Sequence, residues 1–280
     1  MLETATTRPL ARRGTVDALR RGLAELWVFG AKNAISCLFP LVIFAALAFS
    51  KEVGVPGIAR YDFVLVVCLA TQAAMLAAGL ESVDELKVIC VFHVLGLGLE
   101  LFKVHVGSWS YPERALFEVG GVPLYSGFMY ASVAGFMIQA WRRFDLRLER
   151  WPRMVVVVPL GAAIYLNFFT HHHPLIPDLR WALIGLVVIV LFRAKVRFTT
   201  YRRTRRMRLP VAFVLIGLFV FVAENVATFF GAWQYPHQGD TWSPVHLAKL
   251  SSWSLLVIVS FLIVAELKRV KRRRDERAMK

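Results

Sequence analysis

Acidic residues are scarce in this chain. It has 19 Asp and Glu against 34 Lys and Arg, a formal charge of +15 over 280 residues. Charge of either sign is also thin, at 19% of residues, while 57% are apolar. A disordered chain lacks that much apolar material, and a soluble domain spreads charge over its whole surface. Here the charges fall in short clusters between long apolar runs. An ordinary cytosolic enzyme is therefore not expected. Nor is a nucleic-acid binder, because basic loops on a polytopic membrane protein give the same charge.

Cysteine is equally sparse. Cys37, Cys68 and Cys90 lie inside apolar runs and form no CxxC pair. That excludes a disulfide framework and a cysteine zinc site. The sequence has no HExxH or HxxxH pair, no phosphate loop, no Rossmann glycine pattern and no GxSxG elbow. Metalloprotease, nucleotide-binding and serine-hydrolase readings lose their basis.

What is present is apolar length. A membrane-crossing helix needs roughly 20 mostly apolar residues. Eight runs qualify as candidates, near 33–50, 62–80, 86–102, 122–141, 154–170, 178–193, 210–229 and 249–267. The expected fold is an all-α polytopic membrane protein of eight transmembrane helices. Let the spans alternate from a cytoplasmic N-terminus. The inner segments then hold 27 of the 34 basic residues and the outer loops six, with Lys32 at the edge. The positive-inside rule thus puts both termini in the cytoplasm. The expected organisation is a cytoplasmic amphipathic segment over 1–30, a four-helix half over 31–141 and a cytoplasmic loop over 142–153. A second half follows over 154–267, then a basic tail over 268–280. Val16, Leu19, Leu23 and Leu26 recur at helical spacing among arginines, as in a helix lying on a leaflet. The first span is expected to be uncleaved. The expected partners are the bilayer and, through Arg202 to Arg208, anionic lipid headgroups. The oligomeric state is left undefined.

The chain also repeats itself. Residues 100–112, ELFKVHVGSWSYP, and 224–236, ENVATFFGAWQYP, share Glu-x6-Gly-(Ser/Ala)-Trp-x-Tyr-Pro. Both copies run from an outward-going helix into an outer loop. The pattern fits a parallel duplication of a four-helix unit about an axis along the membrane normal.

Ionisable residues inside a span are costly and serve function by default. Glu100 and Glu224, with His93 two turns earlier and His105, are the candidate catalytic residues. Two carboxylates held together cannot both ionise cheaply, so one can donate a proton while the other acts as base. Trp109, Tyr111, Trp233, Tyr235 and Asn225 are the candidate substrate-binding residues. No cofactor is implied. A metal at the outer histidine and glutamate cluster is the one inorganic candidate, through His105, His171 and His172. Bland readings stand beside these: Glu100 paired with Lys103, Glu224 with Asn225 or Thr228, and the Trp and Tyr residues as an interfacial belt. Ser82-x-x-Glu85 reads as a capping box.

Several segments carry a family resemblance: Asp84 to Cys90, Glu100 to His105, Gly107 to Pro112, Val122 to Ala131, Asn167 to His172 and Glu224 to Trp233. Over about residues 30–270 the chain resembles the YoaT-like family of bacterial integral membrane proteins. The resemblance implies a polytopic bacterial membrane protein and, being to a domain of unknown function, no activity. The run from Glu100 through Tyr111-Pro112 to Gly121-Val-Pro123-Leu is more faintly similar to membrane carotenoid hydratases and lycopene cyclases. The functional expectation is a membrane-embedded enzyme acting on an apolar lipid or isoprenoid from the outer face. The alternatives are a proton-coupled transporter or channel using the same glutamates, and a non-catalytic assembly or lipid-binding protein.

Overall fold

The computed structural model describes residues 10–173, 175–239 and 241–278. Residues 1–9 of the expected N-terminal segment, and the end of the basic tail, lie outside them. Each apolar run becomes helical, the first of them shared between two helices. In order these are α1 (Leu10–Ser36), α2 (Leu38–Glu52), α3 (Arg60–Ala77), α4 (Val83–His105), α5 (Ser126–Arg143), α6 (Met154–Thr170), α7 (Arg180–Leu191), α8 (Leu209–Phe229) and α9 (Lys249–Ala278).

Not every helix meets the requirements for a span. α3, α4, α8 and the Lys249–Arg269 part of α9 are long and apolar enough to cross a membrane. The pair formed by α1 and α2, bent by 66° at Cys37, makes a fifth if counted as one broken span. Pro40 explains the break. It sits in the first turn of α2, where it lacks the amide that would otherwise bond back to Ser36. α6 and α7 are apolar but short. The 12 residues of α7 reach roughly 18 Å, against a hydrocarbon core of ~30 Å. α5 carries Gln139, Arg142 and Arg143 and many small residues, and it is the most enclosed helix, with eleven buried residues.

The helices are joined by specific devices. α4 opens on the expected capping box: Ser82 Oγ accepts from the Glu85 amide, and Glu85 Oε2 accepts from the Ser82 amide. The buried Glu85 carboxylate also takes Arg142 of α5 at 2.6 Å and Lys268 of α9 at 2.8 Å, tying three helix ends together. Gly96 lets α4 approach the Tyr130 ring of α5, and Gly217 lets α8 approach Ser254 of α9.

The all-α expectation needs one correction. A two-stranded ribbon pairs β1 (Glu118–Val119) with β2 (Val122–Pro123). An antiparallel sheet of order β3-β4-β5 joins Arg147–Glu149, Lys195–Thr199 and Thr204–Arg208. The segment 142–153 is therefore not simply a loop, since β3 pairs with β4. Period-two alternation in Lys-Val-Arg-Phe-Thr gives the sheet one apolar face, with Leu148, Val196 and Met207 against the helical core.

Candidate functional site

The two repeated segments end their helices alike. Gly107 and Gly231 have φ of +70° and +68°, a left-handed conformation in which glycine avoids a Cβ clash. The next amides bond back five residues, Ser108 to Lys103 at 2.9 Å and Ala232 to Ala227 at 3.0 Å. The chains then turn toward each other. Ser110 and Gln234, at matching places in the repeat, exchange two backbone hydrogen bonds of 2.9 and 2.8 Å. The second loop is further held by Arg60 and Tyr61, which donate to carbonyls of Phe230 and Gly231, and by Tyr125, which donates to Ala232.

This pairing assembles the site. Glu100 accepts from Trp109 Nε1, Tyr111 Oη and Tyr130 Oη, each at 2.7 Å. Glu224 accepts from Tyr235 Oη and from Trp253 Nε1, each at 2.5 Å. The Trp109 and Tyr235 rings meet edge to face at 5.9 Å, so a donor of one glutamate touches a donor of the other. Lys249 Nζ lies over both rings, 5.2 Å from Trp109 and 4.5 Å from Tyr235. Burial, and then the adjacent carboxylate, hold the loop phenols of Tyr111 and Tyr235 well above the ordinary tyrosine value. Both therefore stay protonated and donate.

Both glutamates open onto one cavity of about 400 Å³. That volume falls in the ~300–1,000 Å³ range of small-molecule sites. Trp109, Trp233 and Tyr235 close one end, and Trp253 completes the polar wall. The rest is apolar, from Cys37 and Phe44 across Phe136 of α5 to Val220 and Ala223 of α8.

The other sequence candidates lie apart from this cavity. His93 packs its ring against Phe128 at 4.5 Å, with its Nδ1 buried and unpartnered. Asn225 spans a turn, donating to Phe221 O and accepting from the Val245 amide. His105 is exposed at the end of α4. His171 and His172 gather instead around the buried Lys103, whose Nζ is 3.4 and 2.7 Å from their Nε2 atoms. No group of three or more metal-ligating side chains occurs among the described residues. Lys103 is thus engaged away from Glu100, and the paired reading of those two gives way to the Trp and Tyr donors. Tyr130, Trp253 and Lys249 are the residues sequence reasoning missed. Trp253 and Lys249 share a face one turn apart at the start of α9, which is the signal that was available.

Burial against Phe102, and then the Lys103 ammonium, lower His172 to about 4. A histidine depressed in the fold adds stability that is complete above its unfolded value, 6.5, and is lost as pH falls through the folded one. Thermal stability in detergent should therefore fall between pH 6.5 and about 4. His172→Gln should flatten that slope.

The apolar helices define a helical membrane protein, with two carboxylates in the wall of one apolar cavity. The chain belongs to the family described as protein of unknown function (DUF817), whose model matches residues 25–261. It is 56% identical over 258 residues to the uncharacterized protein YoaT of Bacillus subtilis (strain 168), covering 92% of this chain and 97% of that one. It is also similar to the crystal structure of a mycobacterial Insig homolog, MvINS from Mycobacterium vanbaalenii. That match has a TM-score of 0.47 and 14% identity, over 66% of this chain and 93% of that one.

Proposed function

We propose that the protein is a membrane-embedded enzyme acting on an apolar lipid or isoprenoid, with Glu100 and Glu224 as its acid–base pair. The observation that carries this reading is the apolar cavity with both carboxylates in its wall. Glu100 accepts three hydrogen bonds and Glu224 two. We assign Glu100, with three donors around it, the part of the base and Glu224 that of the acid. Lys249, over the rings that serve both, supplies the positive charge they share. The chemistry this pair suits is hydration of an alkene. Glu224 gives its proton to one alkene carbon. Water adds to the other carbon and passes a proton to Glu100, and the two carboxyls re-equilibrate. Trp109, Tyr235, Trp233 and Trp253 shape the polar end, and the aliphatic wall takes the chain.

The reading extends to topology. We place eight helices in a bacterial inner membrane with both termini cytoplasmic, as two four-helix halves. Packing supports the duplication: α2 with α3 matches α6 with α7, α4 with α5 matches α8 with α9, α2 with α5 matches α6 with α9, and α5 meets α9. A reporter active only in the cytoplasm, fused after Lys280, should be active. Activity of an extracytoplasmic reporter at that site would reverse the orientation.

Lipid profiling of a deletion strain tests the function. Wild type should restore the missing or accumulated apolar species. The protein carrying Glu100→Gln and Glu224→Gln should not, at equal membrane abundance. Full restoration by the double variant would make the glutamates structural. Glutamate-dependent proton flux with an unchanged lipid profile would favour transport.

A further inference from the structure

The small sheet has a second face that the proposed reaction does not use. On it, Arg147, Arg197 and Arg206 stand directly opposite one another across three strands, since Arg147 pairs with Arg197 and Arg197 with Arg206. Like charges in register across a sheet oppose its formation. The next row on the same face is Thr199 opposite Thr204, their hydroxyls 3.1 Å apart. The five side chains and Asp145 line one open hollow. The acids nearby are too few and too loosely placed to neutralise the row. Glu149 lies 3.9 Å from Arg197 and 3.5 Å from Arg206, and Asp145 lies 3.2 Å from Arg147.

The row is also held rigidly. Residues 200–203 form the turn between β4 and β5, and the buried Glu25 of α1 accepts from the Thr200 hydroxyl and from the amides of Tyr201 and Arg202. Lys32 of α1 donates to Thr199 O at 3.0 Å, and the Thr199 amide donates to Phe144 O at 2.8 Å. The opposite face is anchored in the core by Val196 and Met207. A sheet fixed from three sides that still sets three guanidinium groups in register is built to receive negative charge.

We propose that this face is a phosphate-binding site, in which Arg147, Arg197 and Arg206 grip a phosphate group and Thr199 and Thr204 donate to its remaining oxygens. Guanidinium forks match phosphate oxygens in pairs, and hydroxyls complete the set at low cost in space. The site takes the phosphate group itself, borne by a lipid headgroup or by a soluble anion. The site differs from the patch expected over Arg202 to Arg208. It recruits Arg147 and Arg197 from segments far away in sequence, and it leaves out Arg205, which alternates to the other face.

The test uses the purified full-length protein in neutral detergent, titrated calorimetrically with inorganic phosphate and with dihexanoyl phosphatidic acid. Wild type should bind at least one of them. Arg197→Gln with Arg206→Gln should weaken that binding at least tenfold. Arg202→Gln with Arg205→Gln removes the same charge off the site and should change it less than threefold. A thermal scan guards against misfolding. Without anion the Arg197 and Arg206 double variant should melt no lower than wild type, because a repulsive row has been relieved. Phosphate or the short lipid should raise the melting temperature of wild type only. Tighter binding of the phosphatidic acid by tenfold or more identifies a headgroup, and equal binding identifies a soluble phosphate. The proposal is overturned if wild type binds neither probe, if the on-site double variant binds as well as wild type, or if the off-site control loses as much.

Discussion

Exchanging Glu100 and Glu224 together for Gln is expected to remove the activity while leaving the fold in place. A positioned acid or base is worth about 10²–10⁴ in rate. Each single exchange should cost that much, and the pair little more, because groups that act as one unit do not lose rate multiplicatively. Glutamine keeps the volume; its oxygen accepts from the indole donors, Trp109 and Trp253, and its amide NH2 donates to a Tyr130 or Tyr235 hydroxyl turned to accept, so the helices keep their contacts. The melting temperature in detergent should therefore move little. A double variant that unfolds instead would give the glutamates a packing role, with the Trp and Tyr donors serving to bury them. Glu100→Gln should also be more damaging than Asn225→Ala or His105→Ala, since neither of those side chains lines the cavity.

A single methyl group at Gly96 should have a large effect on stability. A Cβ there would sit 2.5 Å from Cγ of Tyr130, the ring that donates to Glu100. Tyr130 is buried and its hydroxyl is tied to Glu100, so the ring moves only toward the cavity and at the cost of that hydrogen bond. Overpacking of this kind costs about 1–3 kcal/mol. Gly96→Ala is thus expected to lower the melting temperature and to weaken activity together, because the displaced ring is a donor to the base. Gly98→Ala, two residues on in the same helix, meets nothing within 4 Å. It should stay within ~0.5 kcal/mol of wild type. Thermal unfolding of the two variants side by side checks the claim. Equal losses would mean that Tyr130 is free to rearrange.

Much of this was legible in the residues. Seven of the eight apolar runs became single helices and the first is split between α1 and α2, because a long apolar run has few other ways to satisfy its backbone. The Glu-x6-Gly-(Ser/Ala)-Trp-x-Tyr-Pro repeat marked both carboxylates and three of their five donors, because those donors lie on the same short segment as their glutamate. Tyr130 and Trp253 were not legible, since each reaches its glutamate from the following helix and only packing brings them there. Span number was harder to read than span position. Pro40 divides the first run, and α7 is too short to cross unaided. The β3-β4-β5 sheet was hidden because its arginines read as a charge cluster and its alternation spans only a few residues. The histidines misled for a related reason: six of the seven fall near helix ends and in loops, yet Lys103 gathers only two of them.

The central claim is that one cavity between Glu100 and Glu224 holds an apolar molecule. Mass spectrometry of organic extracts from the purified protein tests it most directly, comparing wild type with Ala223→Phe, which fills the wall. The account predicts an apolar compound enriched in the wild-type extract, depleted in Ala223→Phe and retained in the Glu100→Gln, Glu224→Gln double variant, which leaves the cavity open. Identical extracts from wild type and Ala223→Phe would contradict it.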